Sequence, residues 1–476
     1  MSFQTRSVTI WAPNMKRIFL VLFISPIVVG LISFSSTPVK ATNLSLGADY
    51  LLRGVSVGKR DKNQKDIDYY DSQLSAYLIT DLSRDVEATI RVQSITPWGL
   101  ENSTSALASR YPNANGNLWV QNAFIRLPNI WEERITVIAG RQPIVWGEGA
   151  ILSDDDLGFN AIRVQIKNPL SAFNWLGPLR KWEFDIDAFS AKINEGLQNA
   201  GDTDLHGVKV GYDQPWNAFN ESNVIRWDVM SLWEDNQADH TYQVGSSSTT
   251  TLAATKVKRQ IMGIRAKGTL RDAYIFGEYY RQSGDIFYSN QKIGLKGEAY
   301  RFGLGGKANT KKIGRFGAVL EISEGSGDDP GTEGDDEAFR PTYASRWTGL
   351  ERKGYGRYFA ASFSDVYSST TPFAEVNSIN DGLPPGVSGI QTIHFGVEST
   401  PWAKWTFSFD YFLYKAIENL GGQKDLGTEF DYALEYRYSG LVTFRGTFNQ
   451  FRPGESFSID TKENATLSSF EIDLRF

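Results

Sequence analysis

Apolar and polar residues alternate through much of this chain beyond residue 41. Along 86–93, Val86, Ala88, Ile90 and Val92 share one phase, while Glu87, Thr89, Arg91 and Gln93 share the other. Ile162, Val164 and Ile166 likewise oppose Arg163, Gln165 and Lys167. Near the end, Phe430, Tyr432, Leu434, Tyr436 and Tyr438 oppose Glu429, Asp431, Glu435 and Arg437. A period of two predicts strands, and charge on the polar phase means that this face is wet. No stretch beyond residue 41 approaches the roughly 20 apolar residues that a spanning helix needs.

A soluble sandwich alternates in the same way, so the pattern alone does not fix the architecture. Two features favour a membrane barrel. Tryptophans crowd the strand ends (Trp98, Trp131, Trp146, Trp182, Trp216, Trp227, Trp233, Trp402, Trp405), as in the aromatic girdles of outer-membrane barrels. Connections also differ in length: 80–86 reads as a tight turn, whereas 99–117, 236–255 and 325–340 are long and polar. The chain ends with Phe470, Ile472, Leu474 and Phe476 alternating with Glu471, Asp473 and Arg475. That ending resembles the C-terminal signal read by the outer-membrane assembly machinery. The predicted fold is therefore all-β, a single antiparallel transmembrane barrel of about 16–18 strands spanning 42–476. A barrel that wide encloses water unless loops fold into it.

Composition narrows the picture further. Among 476 residues, 49 are basic and 55 acidic, and the net charge of -6 argues against a nucleic-acid partner. The absence of cysteine excludes disulfides, thiolate metal sites and cysteine nucleophiles. Lys16 and Arg17 precede an apolar run, 18–34, and a small-residue stretch ending at Val39-Lys40-Ala41. This arrangement predicts a secretory signal peptide over 1–41, with Met15 as an alternative start. The address that follows is the outer membrane of a Gram-negative bacterium, with lipid and lipopolysaccharide as its surroundings.

The polar phase carries Arg91, Arg141, Arg163, Lys167, Arg265, Lys267, Arg437 and Arg445. These are candidate lumen cations for anions, because arginine holds a fixed charge and forked donors for carboxylates. The alternative is that they neutralise lumen acids such as Glu87, Glu429, Asp431 and Asp473. Asp328 and Asp329, with the run 154–156, are weak candidates for a calcium site, though neither has EF-hand spacing. Tyr77 and Tyr279 are candidate lumen aromatics, a placement that a one-residue slip reverses. The three histidines, His206, His240 and His394, lie in no HExxH or G-x-S-x-G motif. The reading is therefore a channel rather than an enzyme, with no cofactor.

Three segments resemble the alginate-export family of outer-membrane proteins. They are Ala139-Gly-Arg-Gln142 with Trp146-Gly147 and Phe159-Asn-Ala-Ile-Arg-Val164; Ser326-Gly-Asp-Asp329 with Phe339-Arg-Pro341; and Leu426-Gly-Thr-Glu-Phe-Asp431 with Phe451-Arg-Pro-Gly454. Asn160 and Ala161 depart from the Asp and Gly usual in the first. The resemblance implies a channel of about 18 strands whose electropositive constriction passes an acidic polysaccharide, with Arg141 and Arg163 inside the family-like motifs. The stretch from Trp175-Leu-Gly-Pro178 to Trp182-Glu-Phe184 resembles capsule-assembly barrels of the Wzi type, which implies a plugged lumen. A general diffusion porin is the third alternative.

Overall fold

The computed structural model describes residues 43–476 except 59–61, 63–65, 99–117, 155–156, 173–182, 195–200, 219–220, 238–239, 244–250, 255, 288–291, 311–313, 330, 333, 346, 349–350, 353, 362–386, 420 and 458–463. The predicted leader over 1–41, Asp155, Asp156, Trp182 and the stretch 175–178 lie outside the described residues.

Eighteen long strands form one antiparallel sheet that closes on itself. They are β1 (Asn43–Gly58), β2 (Ile67–Ser83), β3 (Val86–Pro97), β4 (Trp119–Ile130), β5 (Ile135–Gln142) and β6 (Phe159–Lys167). Next come β7 (Glu183–Asn194), β8 (Thr203–Ala218), β9 (Glu221–Asn236), β10 (Lys256–Leu270), β11 (Ala273–Phe287) and β12 (Glu298–Thr310). The last six are β13 (Gly314–Gly325), β14 (Val387–Trp402), β15 (Trp405–Asn419), β16 (Asp425–Arg437), β17 (Val442–Pro453) and β18 (Ala465–Arg475). Each pairs with its sequence neighbours, and β18 returns to β1, from Asp49 opposite Arg475 to Gly58 opposite Thr466. Reciprocal backbone hydrogen bonds of 2.8 and 2.9 Å between Ala48 and Phe476 seal the seam. Closure leaves no edge strand, the condition for placing a sheet in hydrocarbon, where unpaired amides find no water.

The period-two alternation sorts the two faces. Ile125, Val229, Met262, Ile275, Leu304 and Phe470 are large apolar side chains exposed on the outer surface. In water such a belt would be a liability; against lipid tails it is the expected surface. The opposite phase places Arg53, Asp187, Glu278, Arg301, Glu321 and Glu429 inside.

The connections sort by length. At the end holding Asn43 and Phe476, the turns include 84–85, 271–272 and 403–404. The 168–182 connection, containing the short 3₁₀ turn Pro169–Ala172, is the long one there. At the opposite end, 98–118, 143–158, 237–255 and 326–386 are long. Trp131, Trp216, Trp227 and Trp402 are exposed near the short-turn end, and Trp98 near the long-loop end. Trp146 corrects the girdle expectation, because it is buried in a loop inside the barrel.

Candidate functional site: a lumen narrowed by two inward loops

The first loop, 143–158, leaves β5 and folds inward. Ile144, Trp146, Ile151 and Leu152 are fully or almost fully buried, and Trp146 bridges to Leu152 to close the loop. These apolar residues have no periodicity because they pack into a cluster with Phe159, Phe189, Met230 and Tyr280 rather than onto one sheet face. The Trp146 indole donates to Asp187 Oδ2 at 3.1 Å and meets Phe189 edge-on at 5.0 Å. It also lies against Gly207, where an added Cβ would come within 2.6 Å of the ring. Asp187 is shared: Arg163 engages it through both prongs at 2.7 Å, and the Lys209 ammonium is 3.7 Å away.

At the loop tip, Gly147, Glu148 and Gly149 all take positive φ, at 58°, 52° and 90°. This left-handed turn suits glycine and disfavours the glutamate between. The Glu148 carboxylate reaches Arg265, Arg301 at 3.2 Å and Lys267 at 3.6 Å. Burial alone would raise its pKa, but the three cations outweigh it and hold the carboxyl below its ordinary range.

The second loop begins at residue 326 and crosses the lumen in two directions. Phe339 is fully buried and stacks over Tyr280 at 6.3 Å. The Thr342 hydroxyl donates to Glu234 at 2.9 Å, and Arg259 pairs with the same carboxylate at 2.9 Å. The two loops are tied together: Ser153 N–H donates to the Tyr343 carbonyl and Ser345 N–H to the Gly149 carbonyl, both at 2.7 Å. On the other side, Tyr355 bonds Glu321. The backbone N–H groups of Tyr358 and Phe359 donate to Glu429 at 2.6 and 3.0 Å, and Arg357 N–H donates to Asp431 at 2.8 Å. Phe359 stacks flat on Phe451, with centroids 4.8 Å apart. Beside this contact lies a cavity of about 400 Å³ lined by Tyr355, Arg357, His394, Asp410, Phe412 and Arg445.

The predicted cations are distributed as follows. Arg91, Arg163, Arg265, Lys267 and Arg445 occupy the inner phase. Arg91 is 3.7 Å from Asp49 and Arg445 is 3.9 Å from Glu471. Lys167 and Arg437 share that phase but are exposed at the short-turn rim, where Arg437 is 3.7 Å from Glu435. Arg141 is elsewhere. It sits opposite Asn160, in the outward phase shared with Ile162, at the long-loop rim, and its guanidinium donates to the Leu157 carbonyl at 2.8 Å. Tyr279 also faces outward, opposite Ile264 and in phase with exposed Ile275. Tyr77 takes the inner phase opposite Arg91.

Asp328 and Asp329 do not converge on a cation site. Asp328 is buried and accepts Glu337 N–H at 3.3 Å, while exposed Asp329 accepts Gly331 N–H at 2.8 Å. Among the described residues no three His, Cys, Asp or Glu side chains group to hold a metal. Burial and neighbouring Asp336 push the Asp328 carboxyl up to about 7, against the opposing pull of Arg340. His394 contacts Asp410 Oδ1 at 2.8 Å and stacks on Phe412, and His206 lies on β8. The side chain of His240 lies outside the described residues.

Sequence reasoning missed Glu148, Arg301 and Glu321. Arg301 carried a usable signal, since it stands in the polar phase between Tyr300 and Phe302. Glu148 carried a weaker one, an acidic residue bracketed by glycines within an apolar loop. The three family-like segments lie near these features: the first reaches the tip of loop 143–158 at Gly147, the second begins the second loop, and the third supplies Glu429, Asp431 and Phe451 as its dock.

No family model matches the sequence, and no curated protein matches it. Among solved structures, the chain is similar to OccK9 (OpdG) of Pseudomonas aeruginosa, with a TM-score of 0.52 and 8% identity, covering 91% of this chain and 99% of that one. Its fold is that of a porin-like outer-membrane barrel. OccAB1 of Acinetobacter baumannii also aligns, with a TM-score of 0.49 and 10% identity, over 93% of this chain and 99% of that one.

Proposed function

We propose that this barrel is a passive channel of the Gram-negative outer membrane, passing small anionic solutes through a bore set by its two inward loops. The observation that carries the reading is the group of Arg265, Lys267 and Arg301 on one lumen wall at the depth of the loop tip. Fixed cations in a low-dielectric cleft concentrate anions, and rings of Arg and Lys line anion-selective pores. Arg163 and Lys209 extend the same wall, although Asp187 binds both. The finer reading, passage of an acidic polysaccharide, draws its support from the family-like segments. A uronate chain would offer successive carboxylates to these cations.

The second reading is a plugged barrel of the capsule-assembly kind, favoured by the two hydrogen bonds that tie the loops across the lumen. Under either reading, residues 1–41 serve as the leader, and β18 with the Phe476 that follows it is what the assembly machinery reads. Swelling of proteoliposomes separates the two. Entry of glucuronate faster than a neutral sugar of similar size supports the anion channel, equal entry indicates a general porin, and no entry of either sinks the open-pore reading.

A further inference from the structure

We propose that Glu148 is a tethered counter-anion: it occupies an oxyanion site built by Arg265, Lys267 and Arg301, and a passing carboxylate or sulfate exchanges with it. The inference rests on the anion-channel reading and adds a residue that sets selectivity within it.

The wall itself is built for an anion. Arg265 and Lys267 come from β10 and Arg301 from β12; the wall acids that pair with them are Glu278 and Glu321, while Asp228, opposite Arg265 on β9, pairs with Arg226 at 2.9 Å. Arg265 Nε is 2.8 Å from Glu278, and Arg301 Nε donates to Glu321 at 2.5 Å, leaving the outer prongs of both guanidiniums directed at Glu148. Tyr274 lies under the Lys267 ammonium at 5.7 Å and Phe276 under the Arg301 guanidinium at 4.9 Å. Three cations thus face two wall carboxylates, and the third carboxylate arrives on a loop. When the Glu148 side chain swings away, Arg265, Lys267 and Arg301 outnumber their paired acids Glu278 and Glu321 by one charge, and the outer prong of each guanidinium is freed for an oxyanion.

The loop side is built for release. Glu278 is fully buried, whereas the Glu148 side chain is 41% exposed and within reach of lumen water. Glu148 is the non-glycine member of a left-handed turn, a conformation retained where surrounding contacts over-determine it. Meanwhile Trp146, Ile144 and Ile151 anchor the loop body, and the Ser345 to Gly149 bond fixes the tip backbone. Exchange therefore needs only side-chain rotation, with no loss of the loop.

The test compares wild type, Glu148→Gln, Glu148→Asp and Lys267→Gln, each refolded in detergent and checked for heat-modifiable migration. Glucuronate binding is read by calorimetry, and glucuronate block of chloride current by planar bilayers. A carboxylate competing at its own site lowers apparent affinity by the fraction of time the site is filled. Glu148→Gln is thus expected to bind and be blocked at roughly tenfold lower glucuronate concentration. Glu148→Asp should stay near wild type, and Lys267→Gln should bind more weakly. Equal or weaker binding by Glu148→Gln overturns the proposal. Because calorimetry needs no conduction, a wild type that passes no current while Glu148→Gln binds more tightly rejects the channel and keeps the exchange site.

Discussion

Replacing Glu429 with alanine should release one end of the second inward loop and widen the pore. Glu429 is fully buried on β16. It accepts the N–H groups of Tyr358 and Phe359, and the Tyr414 hydroxyl at 3.1 Å. Alanine leaves the two backbone donors without an acceptor, while the Tyr414 hydroxyl keeps the Tyr355 carbonyl at 2.9 Å, and an orphaned buried donor costs about 1–3 kcal/mol. The two backbone groups together cost about 3 kcal/mol. That is about a hundredfold in the docked-to-released ratio. The stacking of Phe359 and Tyr358 on Phe451 persists and opposes release, so partial rather than complete opening is expected. The strand ladders of β15, β16 and β17 are untouched, and the barrel should stay folded. Single-channel recording should show larger or flickering conductance, and limited proteolysis should cut within 345–386 faster than in wild type. Unchanged conductance together with unchanged cleavage would refute the view that Glu429 holds the loop.

Asp187→Ala should strip Arg163, Lys209 and Trp146 of their common acceptor. Breaking a buried pair costs about 3–5 kcal/mol, and a lower unfolding temperature in SDS gel-shift assays with faster proteolysis at 143–158 would show it. Arg53→Ala breaks the buried two-pronged pair with Asp71, at 3.0 and 2.6 Å. It should lower stability by a similar amount without changing ion selectivity, read from the same gel shift and from reversal potentials. Asp328 predicts pH dependence. Its carboxyl is raised to about 7 in the docked loop, so its contribution to docking is fully present below about pH 4 and lost as pH rises through about 7. Proteolysis of the second loop should therefore be faster at pH 8 than at pH 5.5, and Asp328→Asn should flatten that difference.

The barrel was legible in the sequence because lipid outside and water inside impose the same period-two rule on every strand. Ile162 against Arg163 and Tyr432 against Asp431 expressed it directly. The inward loops were not legible. Ile144, Trp146, Ile151, Phe339 and Phe359 pack into irregular clusters whose partners are set by tertiary contact, so no period announces them. The usable signal was apolar residues inside long connections, and Trp146 was instead assigned to the girdle because it lies just past a strand. For Arg141, alternation says which residues share a face but not whether a position near a strand end belongs to lumen or rim; it borders a cavity shared with Thr342 and Tyr343 of the second loop. Tyr279 shows the fragility of phase: it lies one residue from Glu278, which is buried inside, and itself faces outward. Arg265 and Lys267 were singled out without their partner, since Glu148 lies more than a hundred residues away and meets them only through the fold.

The most direct test of the account is the reversal potential of the wild-type channel in a planar bilayer under a potassium chloride gradient. An open pore whose wall beside the loop tip carries Arg265, Lys267 and Arg301 should conduct and reverse toward the chloride potential, and Arg301→Gln should move it back toward zero. Reversal toward the potassium potential, or no current from correctly folded protein, would contradict it.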